Sequence, residues 1–489
     1  MTSSATNPSV LMATAHEQVI EEYIQNPDNQ PLSVAKFLND NLDYLVSNTT
    51  LRENYKNKWT GFLNKVAAKN NMKLKKSFPD WNAFASSLLE HLSKNDSSSA
   101  QPLRQSFNSS GSNSSSSHRL STEDRQQFVE VFDNTLSSTK FWTLTTGTVV
   151  EQKMKELALK CTHEHPCLSM VLDPADSIWN SYFTVDELEE IEHANKPMIR
   201  ELPTEAIDYS NNYKNMKTLD ELWEESAKHH FHPIRQPLMN WVHMSVVNTI
   251  NILFHNIHKK YKTEADLMKR IWVMIDCAFD DSDVDVICGE YVSKSTTTRA
   301  NMDRSIAAID AMARRKIGTK TDVLFTTEFL EFGTCEAGKI TDPNNTKTLL
   351  EAGMKIPKTL KDMLFVLANE CPSQLRRLRT CGIVISGLNM LPLLMDSPNG
   401  YVARISRPNQ FLHYPTNASD FYKNMKNILR VIYDVKTVMA EVNEIINETD
   451  DGVKYGSRRS TALPPSFLPV SVKRTSKKRK AASETTESS

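Results

Sequence analysis

No stretch of this 489-residue sequence is long and apolar enough to span a bilayer; apolar runs such as 388–395 fall well short of the ~20 residues required. The amino terminus, Met-Thr-Ser-Ser-Ala-Thr-Asn, carries neither the basic nor the apolar segment of a secretory leader. An excess of one charge is missing too. The 58 Lys and Arg against 59 Asp and Glu leave a net charge of -1, so any attraction to a polyanion must come from local patches. Cysteine is sparse. The seven (Cys161, Cys167, Cys277, Cys288, Cys335, Cys371 and Cys381) are scattered and odd in number, which argues against a disulfide framework and for a reducing compartment. Gly147-Thr148-Val149-Val150-Glu151 sits in no glycine-rich phosphate loop, and no Gly-x-Ser-x-Gly elbow occurs. There is no internal repeat of solenoid period. The expectation is an intracellular protein with no membrane partner.

What is there is organised in blocks. The length allows two or three domains, and a hydrophobic fraction of 39% fits a folded core diluted by unstructured segments. Residues 1–13 read as disordered. Residues 14–95 read as a small, separate all-helical domain: Val19-Ile20 with Tyr23-Ile24, then Val34 with Phe37-Leu38, then Trp59 with Phe62-Leu63 and Val66, recur at the three- and four-residue spacing of one buried helix face. Residues 96–121 form a Ser-rich linker. Residues 122–284 are helix-rich, opening on a Ser/Thr-x-x-acid start near Thr122-Glu123-Asp124, with strong periodicity over 239–258 and 265–278. In residues 285–450 the texture changes. Strands are expected at 284–288, 321–326, 329–335, 381–386, 390–395 and 401–405, and helices at 295–315, 347–368 and 419–446. That order defines an α/β fold, a mixed sheet flanked by helices. Residues 451–489 read as a disordered basic tail.

One constellation in the α/β region looks like chemistry. Glu290 precedes a Ser/Thr-rich helix, Asp322 opens one strand, and Glu331 and Glu336 lie along the next, with Lys339 at its end. Carboxylates on adjacent strands, about 4.8 Å apart, can hold a hard cation such as Mg²⁺ against a phosphodiester, and a lysine can offset developing charge. Helix acid, Asp on strand two, Glu and Lys on strand three and a helix thereafter resembles the PD-(D/E)XK, or restriction-endonuclease-like, nuclease superfamily over residues 285–450. Gly289-Glu290-Tyr291-Val292-Ser293, Gly318-Thr319-Lys320-Thr321-Asp322 and Glu331-Phe332-Gly333-Thr334-Cys335-Glu336-Ala337-Gly338-Lys339 are also similar to segments of uncharacterised fungal proteins that carry a degenerate form of that motif. Two departures stand out: Thr321 occupies the proline position, and Glu336 to Lys339 is E-x-x-K rather than E-x-K. The resemblance implies a metal-dependent nuclease with Asp322, Glu336 and Glu290 as Mg²⁺ ligands and Lys339 as the catalytic lysine. The alternative, for which the two departures argue, is a catalytically inactive nuclear nucleic-acid- or protein-binding scaffold on the same fold. Solvated Glu and Lys on a surface strand are the bland reading.

Other features are weighed beside it. Arg299, Arg314, Arg315, Lys316 and Lys320 would serve a nucleic-acid backbone. From Asn54 to Pro79 there are seven lysines and no acids, with Trp59 and Phe62 interleaved, which fits either a phosphate-binding face or a solvated helix face over buried aromatics. Cys161-Thr162-His163-Glu164-His165-Pro166-Cys167 has the softness for Zn²⁺, but the run is too tight for all four side chains to close a tetrahedron, and chance composition is the simpler reading. His229, His230 and His232 could form a second cluster. The acidic run Asp280-Asp281-Ser282-Asp283 lacks the glycine and glutamate of a calcium loop. Lys473, Arg474, Lys477, Lys478, Arg479 and Lys480 read as a signal for a nuclear import receptor, placing the protein in the nucleus with nucleic acid as its partner.

Overall fold

The structure is a computed structural model, and it describes residues 8–49, 55–75, a few positions between 77 and 87, 118–196, 199–304, 314–342, 345–448 and 462–470. The chain divides into two compact units, Met1–Ser112 and Asn113–Ser489.

The first unit holds the helices Pro8–Gln25, Val34–Asp40, Leu42–Ser47 and Tyr55–Lys69. Ile20, Ile24, Phe37, Leu45, Trp59 and Leu63 meet in its core, and Trp59 Nε1 donates to Thr49 Oγ1 at 2.8 Å. Trp59 is therefore a core residue, which decides against a base-stacking role. Lys65 and Lys69 are exposed but ion-paired with Glu17 and Glu21.

The second unit is built on one mixed, eight-stranded sheet. Its strands are β1 (Val171–Leu172), β2 (Asp285–Val292), β3 (Lys320–Thr326), β4 (Glu331–Gly338), β5 (Arg379–Ser386), β6 (Asn389–Asp396), β7 (Ala403–Ser406) and β8 (Leu412–His413). The order is β1-β7-β6-β5-β4-β3-β2, with β8 pairing β6. β2, β3 and β4 run as an antiparallel meander, β4 and β5 are parallel, and β5, β6 and β7 are antiparallel again. A parallel step needs a crossover. It is supplied by a helical run through Thr346–Leu350, a π turn at Glu351–Lys355 and the helix Ile356–Glu370. Pro357 explains the π turn: it has no N–H to give the carbonyl four residues back, and Ile356 N–H reaches instead to Glu351 O.

The two faces of the sheet are covered by different helices. A Cβ on Gly382 would sit 2.5 Å from Ile356, and one on Gly333 would sit 2.4 Å from Met439 Cε. The Ile356–Glu370 helix therefore presses on one face, and the 31-residue helix Ala418–Glu448 presses on the other. Both positions need glycine because nothing larger fits between helix and strand.

Residues 122–284 build one unit with 285–450: β1 pairs in parallel with β7, and Glu151 accepts from the backbone of both Trp142 and Tyr401. Arg404, fully buried, pairs with Asp396 and caps the carbonyls of Ile191 and Ala194. Within the expected tail, residues 462–470 are docked: Leu463 and Phe467 are buried, Phe467 N donates to Ser169 Oγ, and Val470 N donates to Asp124 Oδ1. The last residues assigned to the linker are also structured, since Leu120 is buried and Ser121 makes a capping box with Asp124 on the helix Thr122–Thr135. The helix expected over 295–315 is observed as Lys294–Ala300; residues 305–313 lie outside the described residues, as do residues 1–7 and 96–117 and the basic run Lys473 to Lys480.

Candidate functional site

The β3–β4 register pairs Val323 with Cys335, which sets Asp322 opposite Glu336 on the next rung. Both carboxylates then stand on the face covered by the crossover helices. Like charges directly opposite one another destabilise a sheet, so this pair needs a compensating cation or a proton. Asp322 Oδ2 is fixed by the Ala337 N–H at 2.8 Å. Glu336, 2% exposed, accepts at Oε2 from Lys355 Nζ at 2.5 Å, while its Oε1 is buried with no hydrogen-bond partner.

The π turn delivers the rest. Lys347, Glu351 and Lys355 recur at four-residue steps. Lys347 Nζ lies 2.6 Å from Glu264 Oε1, 3.6 Å from Glu351 Oε1 and 3.0 Å from the Ala337 carbonyl. Glu351 Oε2 is a second buried oxygen without a partner. Asp322, Glu336 and Glu351 thus share one electrostatic neighbourhood, with Glu264 at its edge and Lys347 and Lys355 as its cations, while their carboxylate oxygens do not all lie within 4.8 Å of one another.

Its electrostatics follow from burial. Desolvation is the largest influence on Glu336 and raises it to about 8, with Asp322 and Glu351 adding repulsion and Lys355 opposing. Glu351 is raised to about 7, again by burial first, against the pull of Lys347 and Lys355. Burial also raises Asp322. Lys347 is raised: burial opposes its charge, but the surrounding carboxylates outweigh it.

Of the four residues expected from the sequence, Asp322 and Glu336 converge. Glu290 does not lie on a helix. It stands on β2, where a bulge between Cys288 and Tyr291 leaves it 71% exposed and ion-paired to Lys320 at 2.7 Å. Lys339 falls one residue past the end of β4 and is exposed, so the shifted spacing carries it out of the cluster; Lys355 takes the cationic place beside Glu336. Glu331 is committed elsewhere: it accepts from Ser293 Oγ, Lys294 N and Ser295 N, capping the Lys294–Ala300 helix.

The expected phosphate contacts divide in the same way. Arg299 is buried and donates to the Ser466 carbonyl, which removes it from any surface role. Lys320 is engaged with Glu290. Arg314 and Arg315 are exposed, and Lys316 half-buried, on the segment leading into β3. Of the acidic run, Asp281 pairs with Lys436. His229 pairs with Glu225, and His232 Nδ1 accepts from the Ile234 and Arg235 amides.

Sequence reasoning missed Glu351, Lys347, Lys355 and Glu264. The i, i+4, i+8 spacing of the first three was a readable signal; Glu264, distant in sequence, gave none. Among the described residues, only Cys161, His165 and Cys167 place three potential ligand atoms within 4.8 Å of one another. Comparison with protein-family models, curated proteins and solved structures returns no match to this chain.

Proposed function

We propose that this protein is a metal-dependent nuclease-like enzyme hydrolysing nucleic-acid phosphodiester bonds, with a restriction-endonuclease-like core formed by β2–β6 and the crossover helices. The observation that carries this reading is the pair of buried, partnerless oxygens, Glu336 Oε1 and Glu351 Oε2, beside Asp322. Orphaned acceptors are costly unless something completes them. A divalent cation does so, and Mg²⁺ is commonly held by one or two carboxylates plus waters and substrate phosphate. In this reading Asp322 and Glu336 hold the ion, with Glu351 adjacent. Bound Mg²⁺ would polarise the phosphate and make water a better nucleophile.

The chain's own residues divide the remaining work. Lys355 and Lys347 offset negative charge gathering on the phosphate. Glu351, raised to about 7 by burial, is matched to accept a proton from water near neutral pH. Arg314, Arg315 and Lys316 supply sequence-independent attraction to the backbone. The basic run Lys473 to Lys480 would address the protein to the nucleus through an import receptor. The Met1–Ser112 unit serves as the separate helical module.

A second reading is favoured by one specific observation. Lys355 Nζ stands 2.5 Å from Glu336 Oε2 and offsets that carboxylate from within the fold when it ionises, as a catalytically inactive nucleic-acid- or protein-binding scaffold would need. The test is cleavage of end-labelled single- and double-stranded DNA and RNA by the full chain with Mg²⁺ or Mn²⁺. Asp322→Asn and Glu336→Gln should each cost about 100-fold or more in rate. Nucleic-acid binding without cleavage selects the scaffold. Cleavage that survives both substitutions ends the assignment.

A further inference from the structure

A different set of ligands converges where the Val150–Lys160 helix ends. Cys161 is the C-cap of that helix. His165 caps the 3-10 turn Pro166–Ser169, in which Pro166 opens the turn and Cys167 follows it. Cys161 Sγ, Cys167 Sγ and a ring nitrogen of His165 all lie within 4.8 Å of one another. The segment is clamped from outside: Leu120 N donates to Thr162 O, Glu164 N donates to His118 O, and Arg125 Nη2 donates to Cys161 O. Its other polar residues are occupied. His163 is exposed beside its own Thr162, and Glu164 is ion-paired with Lys358. The tight run therefore offers three ligands, not four.

One ring nitrogen of the histidine is held by a carboxylate, and the other would exchange a backbone hydrogen bond for an ion. His165 Nε2 faces Asp176 Oδ2 at 3.2 Å, and Nδ1 accepts a long bond of 3.2 Å from the Cys167 N–H. A carboxylate at one ring nitrogen keeps the proton there and leaves the lone pair on the other, the outer-shell arrangement that tunes metal-bound histidines. Two thiols and an imidazole are a soft donor set, suited to Zn²⁺ rather than to Mg²⁺. Two thiolates at about 2.3 Å from a tetrahedral ion stand roughly 3.8 Å apart, so small side-chain adjustments close the trio around one ion.

We propose that Cys161, Cys167 and His165 Nδ1 bind a zinc ion, with Asp176 as the positioning residue for His165 and water in the fourth position. Binding converts both thiols to thiolates and releases their two protons to solvent. The ion would tie the end of the Val150–Lys160 helix to the turn that leads into β1. This site is independent of the acidic cluster, and either can fail without the other.

The experiment is metal analysis of the full chain, purified under reducing conditions, loaded with zinc and desalted, together with the absorption spectrum of its cobalt-substituted form. One zinc per chain is expected, with the intense sulfur-to-cobalt charge-transfer band of a thiolate site. Cys161→Ser and His165→Ala, checked for folding by circular dichroism, should each lose the ion. Asp176→Asn should weaken it about tenfold, and His163→Ala should leave it unchanged. Three results would overturn the proposal: less than a tenth of an ion per folded chain, retention unaltered in both Cys161→Ser and His165→Ala, or a Cys161–Cys167 disulfide that forms in place of metal binding.

Discussion

Replacing Glu336 with glutamine should flatten the pH dependence of stability in the sheet-containing unit. Glutamine keeps the shape of the side chain and can still accept from Lys355, but it does not titrate. In the wild type, burial lifts Glu336 from an ordinary 4.5 to about 8. The folded state therefore holds the proton more tightly than the unfolded chain does. Stability from this group is fully present below pH 4.5, declines as pH rises towards 8, and is level above that. At about 1.4 kcal/mol per pH unit, the decline amounts to roughly 3–5 kcal/mol, the lower figure allowing for the shared titration with Asp322 and Glu351. Urea melts of both proteins at pH 5, 7 and 9, with chelator present, measure it directly. Glu336→Gln should gain on the wild type at each step upward in pH. A difference between the two that stays constant within about 1 kcal/mol, or shrinks with pH, would refute the placement of Glu336 as a buried, repelled carboxylate.

Other perturbations test the frame that holds the site. Arg404→Leu strands Asp396 in the core and should cost about 3–5 kcal/mol, read as a lowered melting temperature. Gly333→Ala forces a Cβ to within 2.3 Å of the Cys381 carbonyl and should destabilise by about 1–3 kcal/mol in a urea melt. Phe467→Ala empties a buried position of the docked 462–470 segment. A loss of about 3 kcal/mol is expected, and an unchanged melt would show that the segment does not stabilise the unit.

The central strands were legible because β-branched and aromatic residues gather there in short runs bounded by turn residues. Asp322 and Glu336 were legible because adjacent strands bring neighbouring sequence positions into register. Lys339 misled because spacing along a strand says nothing about where the strand ends, and β4 stops at Gly338. The cation that replaces it, Lys355, comes from a π turn, 19 residues beyond Glu336. Glu264 reaches Lys347 across 83 residues, a tertiary encounter without a local signature. Glu336 stood out from Glu331 by the lysine near it in sequence; the structure separates them by the helix N-terminus that Glu331 caps. β1 is two residues long and carries no periodic signal, so this strand inside the helix-rich region was hidden. The same holds for residues 462–470, whose burial depends on Ser169 and Asp124 rather than on their own composition.

The acidic cluster is tested most directly by a calorimetric titration of Mn²⁺ into the full chain at pH 7, beside Asp322→Asn. One saturable site is expected in the wild type with net proton release, because Glu336 must ionise to bind the ion, and both signals should be lost in Asp322→Asn. Heat and proton release that persist unchanged in Asp322→Asn, or are absent from both proteins even with a nucleic-acid oligomer present, would contradict it.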